Sequence, residues 1–235
     1  MSQYWYVPPS DFLSQMPDRD REELLSRADQ CEYEKGQYIF QAGDPGNHVY
    51  ILDDGRAKIF QVSAQGKEMI LWFCLPGEVF GLTEVLRGGV REVHAQACTP
   101  CSVYAISRKK FQSFLMDYPA TSQQIIELLS CRMRVLGHMM MNLATDDVAS
   151  RIVKLMMRLA ARYQGDDRRE ISLDIPLTHQ EIADMIGASR QTVTSVLGEL
   201  RRRGILQVEG HCITIRDHEQ LAHVLDSGAG EMKLQ

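Results

Sequence analysis

The change of sequence pattern after Ile106 constrains the fold most, because it divides the chain into a β-rich half and a helical half. Before it, short apolar runs alternate with glycine- and proline-containing turns. The runs are Tyr38–Phe40, Val49–Leu52, Ala57–Val62, Met69–Phe73 and Ser102–Ile106. Short strands at roughly ten-residue spacing are typical of an antiparallel barrel or sandwich, which can enclose a small ligand cavity.

A heptad pattern follows Pro119. Its apolar residues are spaced alternately three and four apart, at Ile126, Leu129, Met133, Leu136, Met140 and Leu143. This spacing predicts a long helix whose narrow apolar stripe is buried against a second copy of the chain. The alternative is that the stripe packs on the chain's own β-domain.

Two shorter helices are predicted from possible capping residues. Ser10 and Asp11 can cap a helical lead-in within residues 10–30. Asp146 and Asp147 can cap a helix from Val148 to about Tyr163. The polar stretch 164–169 then ends that helix, and a small C-terminal domain follows.

Residues 177–203 have the pattern of a helix-turn-helix. Thr178 and Glu181 form a T-x-x-E capping box at the start of the first helix. Gly187 allows a tight turn, and Ser189 caps a second helix. The inner face of the second helix is apolar, at Val193, Val196, Leu197 and Leu200.

The outer face of the second helix predicts contact with duplex DNA. Arg190 can bond guanine and Gln191 can bond adenine, each through two hydrogen bonds in the major groove. Ser189, Thr192 and the positive end of the helix suit phosphates. The predicted DNA-binding residues are Thr178, His179, Gln180, Ser189, Arg190, Gln191, Thr192, Thr194 and Ser195. The alternative is an ordinary helical hairpin with a solvated face.

Charge and the downstream sequence fit this interpretation. The net charge is −5, yet residues 189–208 carry four arginines and one acid, so a local patch can attract phosphates. Residues 204–215 predict a two-stranded hairpin turning at Gly210, which makes the domain a winged helix-turn-helix.

In this order, the segments resemble the family of the cyclic-AMP receptor protein and the fumarate-nitrate regulator (CRP/FNR) over nearly the full chain. The matching segments are Gln65–Leu71, Pro76–Gly81, Asn142–Ala144 and Ser189–Val193. The resemblance implies an α+β fold, with a β-roll (a jelly roll like that of cyclic-nucleotide-binding domains) at 1–120, a dimerisation helix at 121–145 and a winged helix-turn-helix at 146–235. It also implies a homodimer that binds a roughly palindromic site, with RNA polymerase as a partner.

The effector pocket departs from the family pattern. The resemblance places the pocket at Gly81, Leu82, Thr83, Arg91, Glu92 and Leu136. Leu82 stands where cyclic-nucleotide members carry a glutamate for the ribose, and Arg91-Glu92 replaces an Arg-Ser pair that holds the phosphate. Leu136-Gly137 replaces the Thr-Ser pair that meets the adenine. These differences argue against cAMP and leave open a different small molecule or no ligand.

The cysteines offer another route for a signal. The resemblance implies no cluster of the usual fumarate-nitrate type, because residues 1–30 contain no cysteine. Cys31, Cys74, Cys98 and Cys101 all fall in the β-roll, however, and four thiolates can hold an iron–sulfur cluster or zinc. Buried reduced thiols and a redox disulfide are the alternatives.

The remaining features indicate a soluble cytoplasmic protein that is not an enzyme. The chain has no apolar stretch approaching the ~20 residues of a membrane span, and its start lacks the pattern of a signal peptide. No nucleophile, base and acid form a catalytic set. A transcription regulator is therefore the leading interpretation, and a ligand-binding module without DNA-binding activity is the alternative.

Overall fold

The computed structural model describes residues 11–85, 88–161, 170–173 and 175–226. The described chain forms two compact units, one ending at Arg132 and one beginning at Met133. No helix in these ranges is long and apolar enough to cross a membrane.

The first unit is a β-roll of two four-stranded antiparallel sheets. In chain order its strands are β1 (Asp29–Tyr33), β2 (Tyr38–Phe40), β3 (His48–Asp54), β4 (Ala57–Val62), β5 (Glu68–Cys74), β6 (Val79–Phe80), β7 (His94–Ala97) and β8 (Cys101–Ser107). One sheet has the order β1-β8-β3-β6 and the other β2-β7-β4-β5. The predicted sandwich of short strands is confirmed.

Apolar side chains from both sheets and the adjoining helices form the core of this unit. One cluster includes Val49, Val79 and Phe111, and another includes Phe40, Phe80 and Val103. Burial of each side chain of this size stabilises the folded state by roughly 1.5–3 kcal/mol. The core therefore fixes the loops that join the strands, including the one that begins at Gly81.

Three helices adjoin the β-roll. They are α1 (Asp18–Ser26), α2 (Arg108–Asp117) and the long α3 (Pro119–Thr145), which continues into the second unit. The Ser107 hydroxyl caps α2 by accepting a hydrogen bond from the Lys110 amide. The predicted cap of the lead-in is wrong, because α1 begins at Asp18 and the Asp11 carboxylate accepts from the Ser14 amide in a turn instead. Ser10 lies outside the described residues.

The long helix α3 has two apolar faces. Ile125, Leu128 and Cys131 are buried in the first unit. The residues of the predicted stripe lie elsewhere on the helix, and Ile126, Met133 and Met140 are each more than 60% exposed. Leu129 and Leu143 are also exposed, whereas Leu136 is half-buried. Within the unit of the β-roll, the stripe residues Ile126 and Leu129 are therefore not part of the core.

The second unit continues with four helices and a three-stranded sheet. Its elements are α4 (Val148–Ala160), β9 (Ile171–Leu173), α5 (His179–Ile186), α6 (Arg190–Arg202), β10 (Leu206–Glu209), β11 (Cys212–Ile215) and α7 (His218–Asp226). Asp147 caps α4 as predicted, accepting from the Ser150 amide. The wing is larger than the predicted hairpin, because β9 pairs with β11. Tyr163 and residues 164–169 lie outside the described residues.

Candidate functional site

The first helix of the helix-turn-helix begins with the predicted capping box. The Thr178 hydroxyl accepts from the Glu181 amide, and the Glu181 carboxylate accepts from the Thr178 amide. The same carboxylate accepts from the Thr178 hydroxyl at 3.0 Å. Because both polar groups of Thr178 are engaged inside the protein, its main contribution is to fix the start of α5.

Gly187 produces the turn between α5 and α6. Its φ of 67° lies in the left-handed region, which glycine adopts without steric cost. Ser189 then caps α6 by accepting from the Thr192 amide at 3.1 Å, and its hydroxyl lies 2.8 Å from that of Thr192. These local contacts fix the direction in which α6 leaves the turn.

The two faces of α6 differ as predicted. Val193, Val196, Leu197 and Leu200 are buried. Arg190, Gln191 and Thr194 are exposed near the N-terminal end, and the Arg190 side chain has no ion pair among the described residues. At the other end, Glu199 pairs with both Arg202 and Arg203. Arg201 at this far end is also exposed. The N-terminal end differs because its exposed arginine lies beside the exposed polar side chains of Gln191 and Thr194, which suits an anionic partner with hydrogen-bonding groups.

His179 connects the two helices beside this exposed end. Its Nδ1 lies 2.8 Å from the Thr194 hydroxyl, which itself donates to the Arg190 carbonyl. Burial lowers the pKa of His179, and Arg190 and His211 lower it further. Gln180 is also exposed but donates to the buried Asp184. Ser195 is half-buried.

A second polar site lies inside the β-roll around Arg91, which is only 2% exposed. Its guanidinium donates to Glu84 at 2.5 Å, to the Gly81 carbonyl at 3.0 Å and to the His48 carbonyl at 2.5 Å. The guanidinium carbon also lies 4.2 Å from the centre of the Phe40 ring. The chain therefore surrounds this cation with its own acceptors and an aromatic face.

Comparison with known families identifies both units. Residues 30–118 match the cyclic nucleotide-binding domain, and residues 150–224 match the Crp-like helix-turn-helix domain. The CRP-like cAMP-activated global transcriptional regulator of Mycobacterium tuberculosis is 30% identical over 85% of this chain and 89% of that protein. This protein belongs to the CRP/FNR family.

Other proteins are similar to this CRP/FNR protein in sequence or in structure. The global nitrogen regulator of Synechococcus elongatus is 32% identical over 78% of this chain and 84% of its own length. Among solved structures, FixK2 from Bradyrhizobium japonicum has a TM-score of 0.74 at 22% identity, over 83% of this chain and 96% of that chain. A CooA variant from Carboxydothermus hydrogenoformans has a TM-score of 0.79 at 20% identity, and the match covers 93% of this chain and 97% of that chain. These two structures establish the fold.

This CRP/FNR protein is a DNA-binding transcription regulator. The matched helix-turn-helix supports DNA binding over the alternative of a ligand-binding module without it. Members of the family are regulators and not enzymes.

The predicted effector residues of the CRP/FNR protein have unequal surroundings. Leu82 is buried in the hydrophobic core with Val49 and Val85, whereas Thr83 and Glu92 are exposed. The carboxylate beside Arg91 therefore belongs to Glu84, which sequence reasoning missed, and not to Glu92. Leu136 is half-buried and belongs to the other compact unit.

The four predicted cysteine ligands do not form a cluster in the structure. No group of three metal-binding side chains occurs among the residues described. Cys74 and Cys101 are buried in an apolar cluster that Cys31 adjoins, and Cys98 is half-buried. The Cys101 thiol donates to the Thr99 and Arg56 carbonyls, and burial raises its pKa. Cys101 therefore resembles a packed thiol more than a thiolate ligand.

Proposed function

We propose that this regulator binds a roughly palindromic duplex site as a homodimer, with the N-terminal end of α6 in the major groove of each half-site. The side chain of Arg190 carries the proposal, because it is exposed beside Gln191 and Thr194 and has no ion pair within the ranges that the structure describes. Ser195 lies with Thr194 on the outward face that would meet the bases, and Ser189 and Thr192 suit phosphates. His179 and Gln180 on α5 complete the proposed DNA-binding set, and Thr178 contributes by fixing the start of α5.

The exposed stripe of α3 supports the homodimer. Five of its six residues are exposed, at the spacing of a two-helix seam. A monomer would leave this row of large apolar side chains in water. A second copy of the chain carries the same stripe, so the two stripes can cover each other across a two-fold axis.

Single substitutions on the stripe test the dimer. Met140→Glu places a charge in the seam, and we expect the chain to elute as a monomer in light-scattering chromatography and to lose binding to a two-half-site duplex. Met116 on α2 is 81% exposed but lies off the stripe, so Met116→Glu is the matched control. An unchanged dimer in Met140→Glu would contradict the proposal.

We further propose that the signal is not cAMP: a different effector acts, or none. Leu82 faces the core, and the Arg91 guanidinium already holds a carboxylate and two carbonyls, which supports this proposal. The test is the affinity for a selected duplex with and without cAMP. We expect no change, and a tenfold or larger gain with cAMP would contradict it.

The remaining parts of the proposal follow from a DNA target. The protein is expected to act in the cytoplasm of a bacterial cell. RNA polymerase is the expected protein partner at a promoter. The division into a sensor (1–120), a dimerisation helix (121–145) and a DNA-binding domain (146–235) remains part of the proposal.

A further inference from the structure

The carboxylate of Glu84 occupies the place at Arg91 where an anionic ligand would bind. The ion pair is buried on both sides, with the Arg91 side chain 1% exposed and the Glu84 side chain 8% exposed. A buried guanidinium needs a counter-anion, and carboxylates and phosphates satisfy it with similar geometry. Here the anion comes from the chain itself.

The backbone around the pair encloses it. Segment 43–46 is joined to segment 88–91 by hydrogen bonds from Gly43 to Arg91 at 2.8 Å, from Arg91 to Asp44 at 2.8 Å and from Gly46 to Gly89 at 2.9 Å. These amide-to-carbonyl bonds hold the backbone of Arg91 against segment 43–46, and Gly46 of that segment packs against Glu84.

Two glycines allow this close packing. A Cβ atom at Gly46 would lie 2.3 Å from the Cβ of Glu84, so only glycine lets the segment lie against that side chain. A Cβ atom at Gly81, where φ is 73°, would lie 3.1 Å from Nη1 of Arg91. The backbone is thus shaped around both members of the pair.

We propose that Glu84 is a built-in ligand, an intramolecular carboxylate that fills the oxyanion position of Arg91 and excludes external phosphate esters and carboxylates. A side chain held in place by close packing acts at an effective concentration far above that of a free anion, so an anion at millimolar concentration does not displace it. This inference rests on the proposal that Gly81, Leu82, Thr83, Arg91 and Glu92 belong to the sensor site.

Chemical rescue tests the inference in the full-length protein. Glu84→Ala removes the anion and opens space at Arg91, and we expect Tm to fall by about 10 °C. Sodium acetate, and separately inorganic phosphate, should restore at least half of that loss, whereas sodium chloride at equal ionic strength should not. The wild-type protein should show no such difference between the salts.

Three further variants serve as controls. Glu23→Ala breaks a surface pair with Arg27 in the same unit and should gain no response to acetate. Glu84→Leu combined with Arg91→Met removes both charges and should also be unresponsive. If Glu84→Ala does not fold, Glu84→Gln keeps the shape of the side chain and should still gain more from phosphate than the wild type does.

Two results would overturn the inference. One is an acetate or phosphate response in the wild type equal to that of the Glu84 variants. The other is a Glu84→Gln protein as stable as the wild type and unresponsive to either anion. The same preparations are tested for binding to a selected duplex, so a failure of the DNA-binding proposal is recorded separately from a failure of the Glu84 proposal.

Discussion

The two polar sites use the same residue type in opposite ways. In the β-roll, Arg91 is 2% exposed and is bound by Glu84 and two backbone carbonyls. On α6, Arg190 is exposed, and its side chain has no ion pair within the described part of the chain. A cation that is engaged internally contributes to one fixed structure. A cation left in water keeps its hydrogen-bond donors for a partner.

Replacing each arginine by alanine should reveal the largest difference between the two sites, which is their contribution to stability. Arg91→Ala leaves the Glu84 carboxylate buried without a partner, so we expect the free energy of unfolding to fall by about 3–5 kcal/mol. Arg190→Ala should change it by no more than about 0.5 kcal/mol. Urea unfolding at one fixed protein concentration measures both. Equal losses in the two variants would contradict the contrast.

DNA affinity should show the reverse order. Arg190→Ala removes the proposed two-bond contact to a base, which should cost about 1–3 kcal/mol per half-site and relax the sequence preference there. Arg201→Ala, at the exposed far end of α6, is the control and should leave the sequence preference intact. Fluorescence anisotropy with duplexes that vary one base pair at a time distinguishes the two. A preference retained in Arg190→Ala would refute the assigned contact.

The cap of α6 should have a smaller effect, on stability. Ser189→Ala removes the acceptor of the Thr192 amide, which should lower the free energy of unfolding by about 1 kcal/mol. Ser189→Asp keeps an acceptor and should recover most of the loss. Thermal unfolding followed by circular dichroism measures both variants, and identical Tm values for Ser189→Ala and the wild type would argue against the cap.

The smallest effect concerns pH at the exposed end. Because the pKa of His179 is lowered from 6.5 by burial, Arg190 and His211, the unfolded chain takes up this proton more readily than the folded protein. The folded state should therefore lose stability as pH falls below about 6.5, and it should be unaffected by His179 above that value. Tm measured between about pH 8 and pH 5 should fall less in His179→Gln. An equal fall in both proteins would assign the pH dependence to other groups.

The sequence was informative where a feature depends on neighbours in the chain. The caps at Asp147, Thr178 and Ser189 each join residues three apart, so all three could be predicted and are confirmed. Strands β1 and β7 lack a continuous apolar run, and they become strands by pairing with β8 and β4. Their positions depend on contacts that are distant in the sequence.

The surroundings of Arg91 in the proposed sensor also depend on contacts that are distant in the sequence. The sequence departs from the pattern of cyclic-nucleotide members at residues 82 and 92, but it does not indicate which carboxylate meets Arg91. Glu84 reaches the guanidinium because the loop after Gly81 folds back and segment 43–46 closes next to it. Glu92 adjoins Arg91 in the chain, yet it is exposed. Adjacency along the chain therefore does not identify the acid that binds Arg91.

The two apolar faces of α3 have a consequence for dosage in the cell. One face is buried in the chain's own core, and the other is the exposed face that we propose packs against a second copy. If pairing along that face is required for tight DNA binding, the amount of active regulator at low abundance rises with the square of the amount synthesised. A twofold change in expression would then change promoter occupancy by up to about fourfold, without any small-molecule signal.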